Sequence, residues 1–313
     1  MGRTSTAKSA TVVVGGLLLG WGIFWLAGNW PALRNKLRGN APDCPWTNTL
    51  RAYRDNKAFY VGLHTVGAGL HVEQHDPTLQ LELIRSPERA FWIKEGKHEQ
   101  RDGQSLLAYL LAEHGLLGET NPDQMVRPGD TVIDCGAHIG VFTHFALKRG
   151  ASKVVAVEPD PTNLECFRRN FAAELVSGRV ALVEKGVWNA PGRLVLREST
   201  GNSGSNSLVG EEHGQAIEIE VTTIDLLVSE LRLPRVDYVK MDIEGAEREA
   251  LRGARETLRK FGPRLMLDAY HRPDDMTVLP GLVRRAHSGY VDWCGPCELD
   301  GDRLVPHAVF FQP

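Results

Sequence analysis

Positive charge is in short supply: 36 Lys and Arg against 39 Asp and Glu leave a formal net charge of −3 over 313 residues. The chain therefore lacks the basic footprint of a nucleic-acid binder, and no nucleic-acid partner is expected. Cysteine is also sparse. Cys44, Cys135, Cys166, Cys294 and Cys297 are too few for a disulfide-built scaffold, and a reducing compartment suits them better. Charge is missing altogether from Ser9 to Leu33, which excludes an ordinary solvated surface for that stretch. A hydrophobic share of 42% with 24% charged residues argues against disorder elsewhere. No internal repeat is visible.

Within the uncharged stretch, Thr11 to Trp30 is about 20 residues long, enough to cross a hydrocarbon core. Trp21, Trp25 and Trp30 suit the headgroup level at its C-terminal half, so a single-pass anchor is expected over residues 1–33 rather than a cleaved signal peptide. Arg34, Lys36, Arg38, Arg51 and Arg54 follow the span, and the positive-inside rule then puts the body on the cytoplasmic side. Residues 34–103 read as a juxtamembrane linker and a small β-rich appendage, with short alternating patterns from Ala58 to Lys97. His64, His71, His75 and His98 lie there but match no zinc spacing.

From residue 104 to 313 the pattern is that of one α/β domain. Gln104 to Leu117 has helical spacing, and Arg127 to Asp130 is a turn into the first parallel strand, with Val132 and Ile133 buried in it. Strands then alternate with helices: Lys153–Val157, Pro161–Val176, Val180–Glu184, Val236–Met241, Ala246–Lys260, Arg264–Ala269 and Met276–His287. That alternation means a parallel, doubly wound sheet, and Tyr290–Trp293 with Val305–Phe311 read as a terminal hairpin that adds an antiparallel strand. Arg193–Leu196 and Ile217–Val221 flank a glycine- and serine-rich loop, Ser199 to Ser207, which is either a plain hairpin tip or a flap over substrate.

The chemistry gathers at two strand ends. Thr131 to Gly140, TVIDCGAHIG, is a strand, turn and helix start whose glycines, Gly136 and Gly140, have the wrong spacing for the G-x-G-x-x-G pyrophosphate fingerprint. A nicotinamide oxidoreductase is therefore the weaker reading. A cofactor without phosphates, such as S-adenosylmethionine, needs close backbone approach, an anchor for its ammonium and an acceptor for its ribose. Asp134 and Glu158 fit those tasks, the latter accepting both ribose hydroxyls, with Pro159 and Asn163 following it. Glu184, Gly186 and Val187, at the third strand's end, are expected beside the adenine. The second end is Val236 to Glu247, where Lys240, Asp242 and Glu244 alternate toward one side of an extended chain. Glu247 there is also suited to capping the next helix.

PGDTVIDCGAHIGVFT, VVAVEPDPTNLECFRRN and VDYVKMDIEGAEREAL, in that order across Arg127 to Lys260, resemble the FkbM-like family of S-adenosylmethionine-dependent methyltransferases. The resemblance implies a Rossmann-like class I methyltransferase fold, a mostly parallel seven-stranded sheet with an antiparallel last strand, and methyl transfer usually to a hydroxyl. It maps Asp134, Gly136, Ala137, Gly140 and Glu158 to the cofactor, and Lys240, Asp242, Glu244, Gly245 and Glu247 to the strand-four motif. His138 stands where the family often has asparagine and is given no contact. Residues up to about Gly103 lie outside the resemblance.

Methyl transfer is an in-line displacement, so alignment is the protein's main task, and an alcohol acceptor also needs a base. Candidates are Asp242, Glu244 and His271, the last preferred because an imidazole's ordinary pKa of about 6.5 suits proton removal. Asp242, Asp268 and His271 are an alternative set for magnesium or a similar ion, but nothing in the spacing demands a metal and none is assigned. Trp293 to Cys297, WCGPC, matches the thioredoxin active-site pentapeptide. A redox role needs a following helix to lower the first thiol's pKa, whereas Glu298 to Asp302 is turn material, so a turn is expected. The rival to an enzyme is a membrane-tethered binding module, against which Asp134, Glu158 and the strand-four carboxylates weigh.

Overall fold

The computed structural model describes residues 27–28, 30–41, 43–96, 103–197, 207–208, 216–300 and 303–313. Nearly all of the expected membrane span, Thr11 to Trp30, lies outside the described residues, as does the Ser199 to Ser207 loop apart from Ser207. Among the described residues no helix is long and apolar enough to cross a membrane.

Helix α1 (Trp46–Ala68) is followed by the strands β1 (His71–Asp76), β2 (Leu81–Arg85) and β3 (Ala90–Lys94), which pair in that order as an antiparallel sheet. The expected linker and the start of the expected β segment are thus helical. The signal is weak because only Thr49, Ala52 and Asp55 of α1 are fully buried. Its close approach to α2 (Gly103–Thr120) uses small residues: a Cβ on Gly62 or Gly67 would lie 3.8 Å from Ala112 or Ala108. The appendage shares its core with the rest of the chain, since Leu81, Ile84, Phe91 and Ile93 pack with Leu107, Ile139, Val141 and Cys166.

The doubly wound part then runs β4 (Thr131–Cys135), α3 (Val141–Lys148), β5 (Lys153–Val157), α4 (Pro161–Asn170), α5 (Ala172–Val176) and β6 (Val180–Val183). β7 (Gly186–Val187), β8 (Gly192–Arg197) and β9 (Ala216–Thr222) make a separate three-stranded sheet before α6 (Ile224–Glu230). β10 (Tyr238–Met241), α7 (Glu247–Arg252), α8 (Arg255–Phe261), β11 (Arg264–Asp268) and α9 (Asp275–Ala286) complete the alternation. The helix expected from Ala246 to Lys260 is two helices parted at Gly253, where an added Cβ would lie 2.3 Å from the Trp188 carbonyl oxygen.

The chain ends with β12 (Val291–Cys294), β13 (Cys297–Asp300), β14 (Arg303–Pro306) and β15 (Ala308–Gln312). The main sheet has seven strands in the order β12-β15-β11-β10-β4-β5-β6, and β15 runs antiparallel to both its neighbours. The last strand is therefore the antiparallel one, as the resemblance implies. The terminal hairpin is more elaborate than expected, because the extra pair β13 and β14 is inserted between β12 and β15. Glu298 to Asp300, expected as turn material, instead lie in β13, and Cys297 is disulfide-bonded to Cys44 across a sequence separation of 253. This corrects the expectation of reduced thiols. A pair so distant leaves no spacing signal, and it forms because the segment before α1 docks on the C-terminal strands. Asn48 Nδ2 donates to the carbonyls of Cys294 and Gly295 at 3.0 and 2.6 Å, and Leu304 N donates to Asn40 O at 3.1 Å.

The pleat of the main sheet decides what reaches the site. Ile133, Cys135, Val239 and Met241 face one core, under the helices α6 to α9, while Val132, Ala156 and Tyr238 face the other with Phe142, Phe167 and Phe171. In the register of β10 with β4, Lys240 lies beside Asp134 on that second face. An ion pair at the mouth of the sheet is thus built into strand pairing.

Candidate active site

At the first strand end, Gly136 has φ +74° and Gly140 φ +95°, a left-handed region that costs glycine little. A Cβ on Gly136 would stand 1.9 Å from Asp242 O, and one on Gly140 2.1 Å from Phe171 Cε2. Gly136 thus lets β4's exit turn press against β10's exit, and Gly140 lets the start of α3 press against Phe171. The backbone N–H groups of Gly136 and Ala137 both donate to Val157 O, at 3.0 and 3.1 Å, which locks the turn to β5. Asp134 is fully buried, accepts from Thr143 Oγ1 at 2.7 Å and lies 3.6 Å from Lys240 Nζ. Burial raises its carboxyl against the opposing pull of Lys240 and Thr143.

Glu158 is 5% exposed and held from three sides. Its Oε2 accepts from His138 N at 2.8 Å, and its Oε1 accepts from Asp160 N at 3.0 Å and Asn163 Nδ2 at 3.3 Å. Asp160 in turn caps α4 by accepting from Asn163 N, with Pro161 at the first helical position. Burial pushes Glu158 up to about 7 despite these donors. Three of a carboxylate's roughly four acceptor sites are in use, so the ribose is left a site on Oε2 rather than the full fork expected from sequence. His138 is itself left-handed at φ +51°, an arrangement that brings its N–H onto Glu158.

The third strand end departs from expectation. Glu184 is exposed and pairs with Arg168 at 2.6 Å. Val187 is buried in the core with Ile133 and Ile224, and a Cβ on Gly186 would meet Ile219 and Val221 at 3.1 Å. Gly186 and Val187 therefore serve the small sheet's packing, because β7 pairs with β9 instead of extending β6. The adenine-side expectation for these two is corrected on that ground.

At the second strand end Lys240 is 3% exposed, donates to Gly136 O at 3.0 Å and lies 3.7 Å from Asp242 Oδ2. Burial works against its charge, but Asp242 and Asp134 outweigh it and raise the lysine above its ordinary value. Asp242 is lowered overall: burial opposes its charge, and Lys240 and His271 prevail. Glu244 has φ +53° and Gly245 φ +91°, a tight exit that aims Glu244 back over the strand end. The His271 ring then sits among carboxylates. Its Nδ1 is 3.0 Å from Glu247 Oε1, and its Nε2 is 3.4 Å from Glu244 Oε2 and 3.7 Å from Asp242 Oδ1. Glu247 is fully buried and also accepts from Ile243 N at 3.0 Å, so it braces the loop as well as the first turn of α7. Although burial lowers it, His271 is pushed up to about 10 by Glu247, Glu244 and Asp242, far from the ordinary value on which its choice as base rested.

Several contributors carried no local signal. Thr143 holds Asp134 nine residues downstream of it, and Ser207 Oγ donates to Glu244 O at 2.8 Å from the far end of the β8–β9 connection. Asp268, which the sequence offered only as an alternative metal ligand, ends β11 and is raised well above the usual range by burial and by Asp242, and Tyr270 Oη reaches it at 3.4 Å. His307 pairs with Glu113 behind this group, and its ring lies 5.9 Å from that of Tyr270. The sequence places Glu113 in a helix and His307 in the last hairpin, so only the closed fold joins them.

The sheet order, the glycine turn and the acidic residue ending β5 define a Rossmann-like methyltransferase. Residues 134–290 match the Methyltransferase FkbM domain, and the chain belongs to this family, whose methyl donor is S-adenosylmethionine. Among curated relatives it is 28% identical over 160 residues to the 31-O-demethyl-FK506 methyltransferase FkbM of Streptomyces tacrolimicus, covering 42% of this chain and 62% of that one. It is 27% identical over 151 residues to the 2-O-methyltransferase NoeI of Sinorhizobium fredii, covering 43% and 61%. A similar match, 28% over 157 residues, is to the Methyltransferase sdnD of Sordaria araneosa, covering 40% and 60%. The chain thus spans about three fifths of these relatives' length. A solved structure, Methyltransferase FkbM from Methylobacillus flagellatus KT, overlaps 83% of this chain and 59% of its own at 18% identity and a TM-score of 0.43.

Proposed function

We propose that this protein transfers the methyl group of S-adenosylmethionine to a hydroxyl of a glycan, a lipid-linked sugar or a secondary metabolite. The observation that carries this reading is Glu158. It is a buried carboxylate at the end of β5, with one oxygen still able to accept, beside a turn whose Gly136 brings β4 and β10 together. The ribose would take that oxygen, and Asp134, between Thr143 and Lys240, would take the ammonium directly or through water. The sulfonium methyl is then directed at the β10 end, where Lys240, Asp242, Glu244 and His271 would meet the acceptor. The names of relatives support a hydroxyl or sugar acceptor, among them the 2-O-methyltransferase NoeI and the Hexuronic acid methyltransferase AglP of Haloferax volcanii. The uncharged stretch Ser9 to Leu33 supports an acceptor met at a membrane.

The chemistry is simple in outline. The acceptor oxygen attacks the methyl carbon in line with the departing sulfur, and the two strand ends hold that line. Supplying S-adenosylmethionine with an isotope-labelled methyl group to envelope extracts, with and without the protein, tests the reading. Label should enter glycans or small metabolites as base-stable ethers. Label only in protein or nucleic acid would overturn it.

A further inference from the structure

We infer that Asp242, Glu244 and His271 form a binding site for an octahedral divalent cation of the Mn2+ type. One carboxylate oxygen from each acid and one ring nitrogen lie within 4.8 Å of one another. His271 Nε2 stands 3.4 Å from Glu244 Oε2 and 3.7 Å from Asp242 Oδ1, too far for hydrogen bonds. Ligand bonds of about 2.1 Å put neighbouring donors about 3 Å apart and opposite ones about 4.2 Å apart, so the two His271 distances need to shorten by about 0.4 to 0.7 Å to close on a cation.

An acidic cluster alone would not carry this, and the histidine supplies the independent observation. Its side chain is 7% exposed, and Nε2 is buried with no hydrogen-bond partner. The other ring nitrogen faces Glu247 Oε1 at 3.0 Å, and a carboxylate there fixes the proton on Nδ1. Nε2 points at the two acids, and a cation seated there displaces the proton that Nε2 carries in the metal-free protein. A carboxylate, a histidine and an open mouth are the ordinary outer and inner parts of a metal site. Glu247 is itself fully buried and pinned by Ile243 N, so the ring has little freedom to turn away.

Two carboxylates with one imidazole suit a cation that accepts both oxygen and nitrogen ligands, and three protein donors leave positions for an acceptor. The site abuts the cofactor turn through the contact of Gly136 with Asp242 O. Its chemical use rests on the methyltransferase reading, whereas its binding does not. A hydroxyl bound to the cation loses its proton to water. The oxygen forms the new C–O bond, and the S–C pair stays on sulfur as S-adenosylhomocysteine is released.

The test is Mn2+ binding by the chelator-stripped full-length chain, followed as loss of the free Mn2+ paramagnetic resonance signal, beside calorimetric titration of S-adenosylmethionine. One Mn2+ per chain is expected. Glu244→Gln and Glu247→Gln should each weaken it by about 10- to 100-fold while cofactor binding stays unchanged. Should Glu247→Gln fail to fold, the partly exposed Glu244 decides through its own variant. A wild-type chain that binds cofactor but no stoichiometric Mn2+, or Mn2+ binding that survives both Glu244→Gln and His271→Gln, overturns the site. Mn2+ binding without cofactor binding would uphold the site and sink the methyltransferase reading instead.

Discussion

The two strand ends that make the site are built in opposite ways. At β4 and β5 the polar groups are held by short hydrogen bonds: Glu158 has three donors and Asp134 has Thr143. At β10 the His271 Nε2 faces Glu244 and Asp242 at 3.4 and 3.7 Å and makes no hydrogen bond. A braced end suits recognition of a constant molecule, whereas an end held by charge suits groups that must exchange partners during reaction. Lys240 joins the two, since it donates to Gly136 O and lies near both Asp134 and Asp242. The lesson is that one buried cation lets acids from both ends share a small space.

That contrast can be broken most severely at the turn. Gly136→Ala puts a methyl group 1.9 Å from Asp242 O at φ +74°, so it should destabilise the fold by about 3 kcal/mol or more and abolish cofactor binding. Denaturant unfolding and calorimetry read the two effects, and a variant of wild-type stability would show that the strand ends are not in contact. Next in size is a change remote from both ends. Cys44→Ser should lower stability by about 2 to 4 kcal/mol through loss of the bond to Cys297, yet leave cofactor affinity alone. A parallel loss of affinity would mean that the segment before α1 helps shape the pocket.

Acidity sharpens the comparison further. Glu158 sits at about 7 in the free protein, raised by burial. If its ionised form accepts the ribose, affinity for S-adenosylmethionine should be level above that value and fall by about tenfold per pH unit below it. The same raised value means that Glu158 favours the folded, cofactor-free protein most at acid pH, and that this contribution is lost as pH rises through about 7. A pH-independent affinity would remove Glu158 from the ribose. The smallest effect is expected at Glu184, already paired with Arg168 on the surface. Glu184→Ala should alter affinity by less than about threefold, in line with the small worth of an exposed ion pair.

How much of this was legible in the sequence follows the range of the interactions involved. The strand and helix alternation from Thr131 to Ala286 is local, so it shows in periodicity, and the strand register then places Lys240 beside Asp134. Gly136 and Gly140 were legible as points of close approach, although not what they approach. Helix α1 was not, because its contacts with α2 run through glycine and alanine and leave little apolar pattern. The Cys44–Cys297 bond, the Glu113–His307 pair and the turning of Gly186 and Val187 into a second sheet all depend on chain segments meeting only after folding. His271 was legible as a histidine at a strand end, but its three acidic neighbours, which change its chemistry, come from the β10 exit and α7.

The division of labour between the strand ends is tested most directly by calorimetric titration of S-adenosylmethionine at pH 8 into wild type, Glu158→Gln and Glu244→Gln. One-to-one binding is predicted for wild type, a loss of about 10- to 100-fold for Glu158→Gln as a charge-assisted bond worth about 1.5 to 3 kcal/mol disappears, and no loss for Glu244→Gln. Absence of binding to wild type, or equal affinity for wild type and Glu158→Gln, would contradict the account.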